Sequence, residues 1–190
     1  MNIGIIVEGD ADAAVYPELI RKLRNDVEII SVQPCGNDVK LMLGFVGWLK
    51  YFRYGVEHSV DKALVIRDSD CRDASGWEQR MKRTLDESRF VCTFPIHFHA
   101  TKCELESWLL ADVNAVNEVA RQRGKRKRAQ ATSVDLETHR NAKELFRRVL
   151  SDAALPADAQ VYREVAAAID IERIRTRCPS FTRFAEKVMG

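Results

Sequence analysis

Four apolar runs recur along the first 100 residues, and a stretch with helical spacing follows each of them. Residues 3–7, 27–32 and 63–66 are rich in Ile and Val, which is typical of strands buried on both faces of a sheet. Residues 90–98 alternate between apolar and polar positions, with an interruption at Pro95. The pattern predicts an α/β fold with a mainly parallel four-stranded sheet, flanked by helices and joined by right-handed crossovers.

Apolar residues at helical spacing predict four helices in this region, over residues 13–24, 39–54, 75–89 and 102–121. Asp12 and Asp38 stand where helix N-caps belong. Beyond the fourth helix the pattern is helical only, over residues 139–151, 158–174 and a last segment from Ser180. We therefore expect an α/β domain over residues 1–120 and a helical C-terminal extension over residues 121–190, packed on it.

Composition narrows the class of protein. The chain is 46% apolar and 31% charged, as in soluble globular domains, and no apolar run approaches the roughly 20 residues that span a bilayer. The first residues read as a strand and not as a secretory signal, so we expect a cytoplasmic protein with no membrane partner. The five cysteines include no C-x-x-C pair, and we expect neither a disulfide framework nor a zinc ribbon.

The net charge of +2 conceals an uneven distribution. Residues 1–120 carry 14 Lys and Arg against 19 Asp and Glu, a net of −5, whereas residues 121–190 carry 16 against 9, a net of +7. The sign changes at a basic segment with six cations: Arg121, Arg123, Lys125, Arg126, Lys127 and Arg128. Such a segment is either a solvated loop or a contact surface for the phosphates of DNA. Six phosphate contacts would give a log–log salt slope of roughly −5.

Acidic residues follow three of the predicted strands at the point where each strand ends. In chain order they are Glu8, Asp12, Asp68, Asp70, Glu104 and Glu106. Ligands of open α/β sheets bind outside the carboxyl ends of the strands, so we expect these side chains to lie close together. Gathered carboxylates repel one another unless a cation neutralises them, and oxygen-only ligands favour Mg²⁺ or Mn²⁺. The sequence therefore predicts a divalent-metal site at this edge.

Each acidic pair also has a structural explanation. Asp12 can cap the first helix, and Glu104 and Glu106 suit the first turn of the fourth helix. Extended geometry would point Asp68 and Asp70 to the same side of the chain, which suits a shared site. The structural explanation for this pair is an ordinary charged loop, in which Arg67 and Arg72 would be its ion-pair partners.

Histidines and tryptophans add weaker signals. His97 and His99 alternate on one strand face, with Cys92 and Cys103 nearby, and a zinc site would require these groups to converge. Half-buried structural histidines are the commoner alternative. Core or interface packing is the default for the three tryptophans, which fall on helical stripes: Trp48, Trp77 and Trp108.

Two of these motifs resemble the Toprim domain of topoisomerases, primases, recombination-repair proteins and OLD (overcoming lysogenization defect) nucleases. They are Val7-Glu8-Gly9 after the first strand and Asp68-x-Asp70 after the third. Asp12, four residues after Glu8, is similar to the OLD-type variant.

Two later elements resemble a small family of stand-alone OLD-like Toprim proteins. They are the segment from Glu104 to Asp112, Glu-Leu-Glu-Ser-Trp-Leu-Leu-Ala-Asp, and Ser180-Phe181-x-x-Phe184. The resemblance covers residues 1–112 well and the remaining chain only through the second element.

The resemblance implies a nuclease that hydrolyses DNA phosphodiesters with Mg²⁺ or Mn²⁺. Glu8, Asp12, Asp68 and Asp70 would be ligands, and Glu104 or Glu106 would complete the site. Toprim enzymes also use a lysine to stabilise phosphate charge, which here would be Lys102 or Lys143. Because the chain lacks the G-x-x-x-x-G-K-[ST] motif, the resemblance implies a separate ATPase partner, in phage defence or DNA processing.

Two other functions remain open. One is a catalytically silent Toprim-fold subunit that regulates its ATPase partner and docks through the basic segment. The other is a phosphohydrolase that uses Asp68 as a nucleophile. A homodimer is a further alternative that the sequence leaves open.

Overall fold

The structure is a computed structural model that describes residues 1–190. Four strands form one all-parallel sheet in the order β2-β1-β3-β4. Their bounds are β1 Asn2–Val7, β2 Glu28–Pro34, β3 Lys62–Asp68 and β4 Ile96–Thr101. The predicted α/β class with a parallel four-stranded sheet is confirmed, and the arrangement is Rossmann-like.

Nine helices accompany the sheet. The first three connect the strands: α1 Asp10–Leu23, α2 Asp38–Tyr54 and α3 Ala74–Glu87. The other six follow β4: α4 Glu106–Leu109, α5 Val113–Gln122, α6 Ala142–Asp152, α7 Ala159–Ala168, α8 Ile171–Arg177 and α9 Phe181–Met189. No helix is both long and apolar enough to cross a membrane.

Alternation along β1 divides the core into two layers. Ile3, Ile5 and Val7 face the layer that contains α1 and the C-terminal helices. Ile6 faces the other layer, which is built by α2 and α3 around Phe45. Because side chains on successive strand residues point to opposite faces, a strand covered on both sides must be apolar at every position, which explains its continuous apolar run.

The C-terminal helices share the larger core layer with β1 and α1. Helices α7 and α9 both pack on α1, and α9 also contacts β4. The Trp108 ring meets the Phe181 ring edge-on at 4.8 Å, and Phe184 lies 5.3 Å from Trp108 and 5.5 Å from Tyr16. These aromatic contacts seat α9 against α1 and α4, directly beneath the carboxyl edge of the sheet.

Several element bounds differ from the predicted ones for local reasons. Strand β4 begins at Ile96 and not at residue 90, because Pro95 cannot donate a ladder hydrogen bond. The single helix predicted over residues 102–121 is two helices, because the Asp112 carboxylate accepts from the Asn114 N–H and caps α5. The helix predicted over residues 158–174 also breaks, and Asp170 caps α8 by accepting from the Glu172 N–H.

Gly4 in β1 gives the sharpest test of the packing. A Cβ atom at this position would lie 2.6 Å from the ring of Phe52, which is 1% exposed. We expect Gly4→Ala to lower the free energy of unfolding by about 1–3 kcal/mol, measured by urea denaturation.

Gly44→Ala in α2 is the matched control. No atom lies within 4 Å of its Cβ position, so the higher helix propensity of Ala should stabilise the protein by up to about 1 kcal/mol. Equal changes in the free energy of unfolding for the two variants would contradict the close approach of Phe52 to β1.

Candidate metal centre at the carboxyl edge of the sheet

The strand order places a crevice between β1 and β3. From β1 the chain proceeds to β2 on one side and then crosses to β3 on the other, so the connections diverge at this point. Glu8 follows β1 directly, and Asp68 is the last residue of β3. The backbone N–H of Asp68 donates to the Glu8 Oε1 atom at 3.2 Å, which ties the Glu8 carboxylate to the end of β3 across the crevice.

Asp12 enters the same region from the first turn of α1. Its Oδ2 atom accepts from the Gly9 N–H at 2.9 Å. The N-cap of α1 is Gly9, so Asp12 is the third residue of the helix and not the N-cap that its position predicted. Its contact with Gly9 is one half of a capping box, which fixes the carboxylate near Glu8.

Glu104 and Glu106 differ in their surroundings. Glu106 opens α4, is 4% exposed, and accepts from the Tyr162 Oη atom at 3.4 Å. Glu104 is half-buried, and its Oε2 atom accepts from the Lys143 N–H in the first turn of α6 at 2.7 Å. Asp68 is tied to the same segment, because its Oδ1 atom accepts from the Leu105 N–H at 3.1 Å.

Burial and mutual repulsion raise the pKa values of these carboxyls. Burial, followed by the charge of Asp12, raises the pKa of Glu8 to about 7 against the opposing charge of Arg67. Burial and the charge of Glu106 raise the pKa of Asp12 to about 6. The pKa of Asp68 is raised well above its usual range by burial and then by the charges of Asp12, Glu106 and Glu8. Burial also raises the pKa of Glu106.

The positive charge near these carboxylates falls short of neutralising them. The buried Arg67 guanidinium lies 3.6 Å from Glu8 Oε1 and 3.8 Å from Asp38 Oδ2, so Arg67 does not pair with Asp68 or Asp70 as the charged-loop alternative required. Lys143 lowers the pKa values of Asp12 and Glu106 through its charge. The pKa values of the four carboxyls are thus raised despite the charges of these two cations.

Asp70 does not adopt the extended geometry that the sequence predicted. The strand ends at Asp68, and Asp70 has a φ of 51°, in a turn where its side chain is exposed. The prediction that both aspartates point to the same side of an extended strand is therefore wrong. The Asp70 N–H donates to the Cys103 carbonyl at 3.0 Å, so its turn is tied to the loop after β4.

A disulfide joins the same two loops. Cys71 and Cys103 are bonded, whereas Cys35, Cys92 and Cys178 are free. The sequence predicted no disulfide framework, and this single bond is the one disulfide of the chain. The bond connects the turn that carries Asp70 to the segment that leads to Glu104 and Glu106.

The two candidate lysines occupy different environments. Lys102 Nζ lies 3.4 Å from Glu137 Oε2, and the side chain is half exposed. Lys143, at the start of α6, acts electrostatically on Asp12 and Glu106. The charge of Lys143, whose side chain is exposed, thus favours it over Lys102, although Lys102 is closer to the carboxylates in sequence.

The basic segment is partly engaged with the protein itself. Arg121 pairs with Glu118 at 2.6 Å, and Arg123 pairs with Glu164 at 2.7 Å. Arg128 donates to the carbonyls of two of its own neighbours, Lys125 and Lys127. Lys125, Arg126 and Lys127 form no ion pair, so fewer than six cations are free to meet phosphates.

The histidines do not form a zinc site. His99 is 2% exposed and packs between the rings of Trp108 and Phe184, where burial and the nearby Lys187 hold its pKa well below the usual range. Cys103, a proposed partner, is bonded to Cys71.

The chemistry of the donor set suits Mg²⁺ or Mn²⁺, which prefer carboxylate oxygens. Glu8, Asp12, Asp68 and Glu106 are the candidate ligands, because the charges of the other three all raise the pKa of Asp68. No group of three potential ligands forms a ready-made coordination shell. The fit of these residues to a divalent cation therefore rests on their oxygen donors and on the repulsion among their charges.

Two buried tyrosines contribute to this site and were not identified from the sequence. Tyr16 lies beneath the carboxylates, bonded to Thr101 Oγ1 at 2.8 Å, and burial followed by the charges of Asp68 and Asp12 raises its pKa. Tyr162 on α7 donates to Glu106. Tyr16 falls on the apolar stripe of α1, and nothing in its local sequence separates it from an ordinary core residue.

Comparison with known proteins finds one family. The profile of the family described as a domain of unknown function (DUF4276) matches residues 7–189. No curated protein and no solved structure matches the chain significantly.

The raised pKa of Glu8 predicts that this site destabilises the metal-free protein at alkaline pH. The folded-state pKa of about 7 exceeds the ordinary value of 4.5, so the stabilisation from protonated Glu8 is complete below pH 4.5 and is lost as the pH rises through 7. Gln mimics the protonated form. We therefore expect Glu8→Gln to raise the free energy of unfolding at pH 8 in EDTA, by up to about 3 kcal/mol.

Thermal unfolding from pH 4 to pH 8.5 measures this effect. The wild type and the variant should converge below pH 4.5, and Mg²⁺ should stabilise the wild type more than the variant. The exposed Glu57→Gln serves as the control. A Glu8→Gln protein that is less stable than the wild type at pH 8 in EDTA would contradict the assigned electrostatics.

Proposed function

We propose that this chain, which belongs to the family described as a domain of unknown function (DUF4276), is a nuclease that hydrolyses DNA phosphodiesters with Mg²⁺ or Mn²⁺. One observation supports the proposal: the pKa values of four half-buried or buried carboxyls near the β1/β3 crevice are raised, and the charges of Asp12, Glu106 and Glu8 all contribute to the shift of Asp68. Perturbed carboxyls at a topological switch point are typical of a functional site. The resemblance of Glu8-Gly9 and Asp68-x-Asp70 to the Toprim domain supports the same activity.

In this proposal Glu8, Asp12, Asp68 and Glu106 hold the metal. The bound ion would neutralise the developing phosphate charge and lower the pKa of a water molecule. Backbone contacts orient the ligands: the Gly9 N–H holds Asp12, and the Leu105 N–H holds Asp68.

Cationic side chains have separate roles in the proposal. Arg67 is buried and fixes Glu8 from behind, at 3.6 Å from its Oε1 atom. Lys143 stands at the N-terminal end of α6, where it can meet a non-bridging phosphate oxygen. Positive charge positioned at the phosphate stabilises the charge that develops in the transition state.

The remaining site residues stay predictions. Asp70 and Glu104 are close in sequence to Asp68 and Glu106, and Lys102 pairs with Glu137. The proposal assigns no role to these three residues. The separate ATPase partner and a role in phage defence rest on the Toprim resemblance alone. No observation favours a phosphohydrolase, because the Asp70 turn does not present its carboxylate beside Asp68 in extended geometry.

Cleavage of supercoiled plasmid DNA tests the proposal. We expect Mn²⁺-dependent nicking by the wild type, and Asp12→Asn and Asp68→Asn should each lower its rate by roughly 100-fold or more. Asp10→Asn is the matched control, because Asp10 lies in the same helical turn as Asp12 but is exposed. Agarose gels resolve the nicked and linear products.

Two results would count against the nuclease. One is cleavage that survives in both Asp12→Asn and Asp68→Asn, which would indicate a contaminating enzyme. The other is the absence of cleavage with either metal, which would favour a catalytically silent subunit.

The identity of the phosphate-binding lysine gives a separate prediction. We expect Lys143→Ala to lower the cleavage rate at saturating Mn²⁺ by roughly 10²-fold, because it removes a positioned charge. Lys102→Ala should change the rate little, since Lys102 pairs with Glu137. The reverse order of effects would assign the role to Lys102.

A further inference from the structure

A groove runs between α2 and α3 beside the carboxylate crevice. It consists of two cavities of about 490 and 440 Å³ that share three lining residues, Trp77, Arg80 and Arg83. Arg72 lines the first cavity, and Arg67, Val39 and Leu43 line the second. We call this region the Trp77 groove.

Two arginines lie against Trp77 in this groove. The Arg67 guanidinium carbon lies 3.6 Å from the centre of its ring, and the Arg80 guanidinium carbon lies 4.9 Å from it. The indole is half-buried and lines both cavities, so the core packing expected for it is incomplete. Exposed apolar side chains continue the groove wall, with Leu43 82% and Val39 60% exposed. The groove thus offers planar and apolar surface.

Four arginines line the groove against three carboxylates, Asp38, Asp73 and Glu87, which leaves a net charge of +1. Arg67 faces Asp38 at 3.8 Å, and the largely exposed Arg83 faces Glu87 at the same distance. Exposed pairs at this separation are weak. Arg72 and Arg80 form no ion pair. The groove is therefore suited to an anionic ligand.

Arg67 connects the groove to the carboxylate crevice. Its Nε atom donates to the Asp68 carbonyl at 2.8 Å and lies 3.6 Å from Glu8 Oε1. Its guanidinium packs against the Trp77 ring. Its Nη1 atom is buried and has no hydrogen-bond partner. Because the Arg67 side chain is only 1% exposed, it supports the Trp77 ring and leaves contact with a ligand to the exposed arginines, Arg72, Arg80 and Arg83.

We propose that the Trp77 groove binds single-stranded nucleic acid and leads the strand to the carboxylate crevice. This inference rests on the proposed function, because it takes a phosphodiester as the substrate. Aromatic rings flanked by arginines recognise unpaired bases by stacking, while the cations follow the phosphate backbone. The bases of a duplex are already stacked and cannot use the indole. The inference therefore specifies a single-stranded substrate or a locally opened one.

The basic segment at residues 121–128 is the competing surface. It contains no aromatic residue, and Glu118 and Glu164 already engage Arg121 and Arg123. Its free cations could attract a backbone electrostatically, but they offer no surface on which a base can stack. Binding at one surface or the other therefore gives different changes in affinity for the same variants.

Fluorescence anisotropy with a fluorescein-labelled 20-nucleotide oligothymidine tests the inference. The titration is done in EDTA, so neither metal binding nor cleavage is required. We expect Trp77→Ala to weaken binding by roughly tenfold or more, and Trp77→Phe to restore most of the affinity. Arg80→Gln and Arg83→Gln should each reduce the log–log salt slope by about 0.7.

Matched controls separate the groove from general electrostatics. Arg175→Gln removes an exposed arginine that is paired within its own helix, as Arg83 is, and should leave affinity unchanged. Circular dichroism and thermal unfolding establish that Trp77→Ala is folded. A 20-base-pair hairpin duplex is the competitor, and we expect it to bind more weakly than oligothymidine.

The outcomes distinguish this inference from the nuclease proposal. Trp77-dependent binding without cleavage under any metal supports the groove and removes the nuclease. Cleavage by the wild type, combined with unchanged affinity in folded Trp77→Ala, overturns the groove and leaves the nuclease. The inference is also overturned if a triple variant with Lys125→Gln, Arg126→Gln and Lys127→Gln no longer binds oligothymidine. Failure of the wild type to bind oligothymidine overturns it as well.

Discussion

Repulsion among carboxylates that the fold holds together is the constraint around which this protein is organised. Asp68 is the centre of the group, because Asp12, Glu106 and Glu8 all raise its pKa. The sheet brings them together: β1 and β3 are neighbours, and their carboxyl ends meet at one edge. Repulsion of this kind lowers stability unless a proton or a metal ion relieves it. The proposed function assigns this relief to a divalent cation.

The aromatic packing of the C-terminal helices offsets the stability that this repulsion removes. Trp108, Phe181 and Phe184 form edge-on and tilted ring contacts beneath the crevice, and Tyr16 joins them from α1. Aromatic pairs of this kind add stability beyond their buried area. The extension beyond residue 120 therefore acts as a support for the site, because it fixes α1 and α4, which carry Asp12 and Glu106.

Arg67 links the features that this protein would use together. One buried guanidinium contacts Glu8, bonds to the Asp68 backbone and stacks on Trp77. A strand in the Trp77 groove would thus lie beside the carboxylate crevice, with Arg67 between the two. The Cys71–Cys103 disulfide joins the loops after β3 and β4.

The sequence by itself determined the alternation of strands and helices and the three acidic clusters at strand ends, because burial on both faces leaves continuous apolar runs that stop where the chain reaches solvent. Only the tertiary structure decided that Glu106 joins Asp68 while Asp70 turns away, that Lys143 and not Lys102 acts on the carboxylates, and that Trp77 lines a groove. The reason is physical: strand periodicity is local, whereas loop direction and charge proximity depend on contacts between segments distant in the chain.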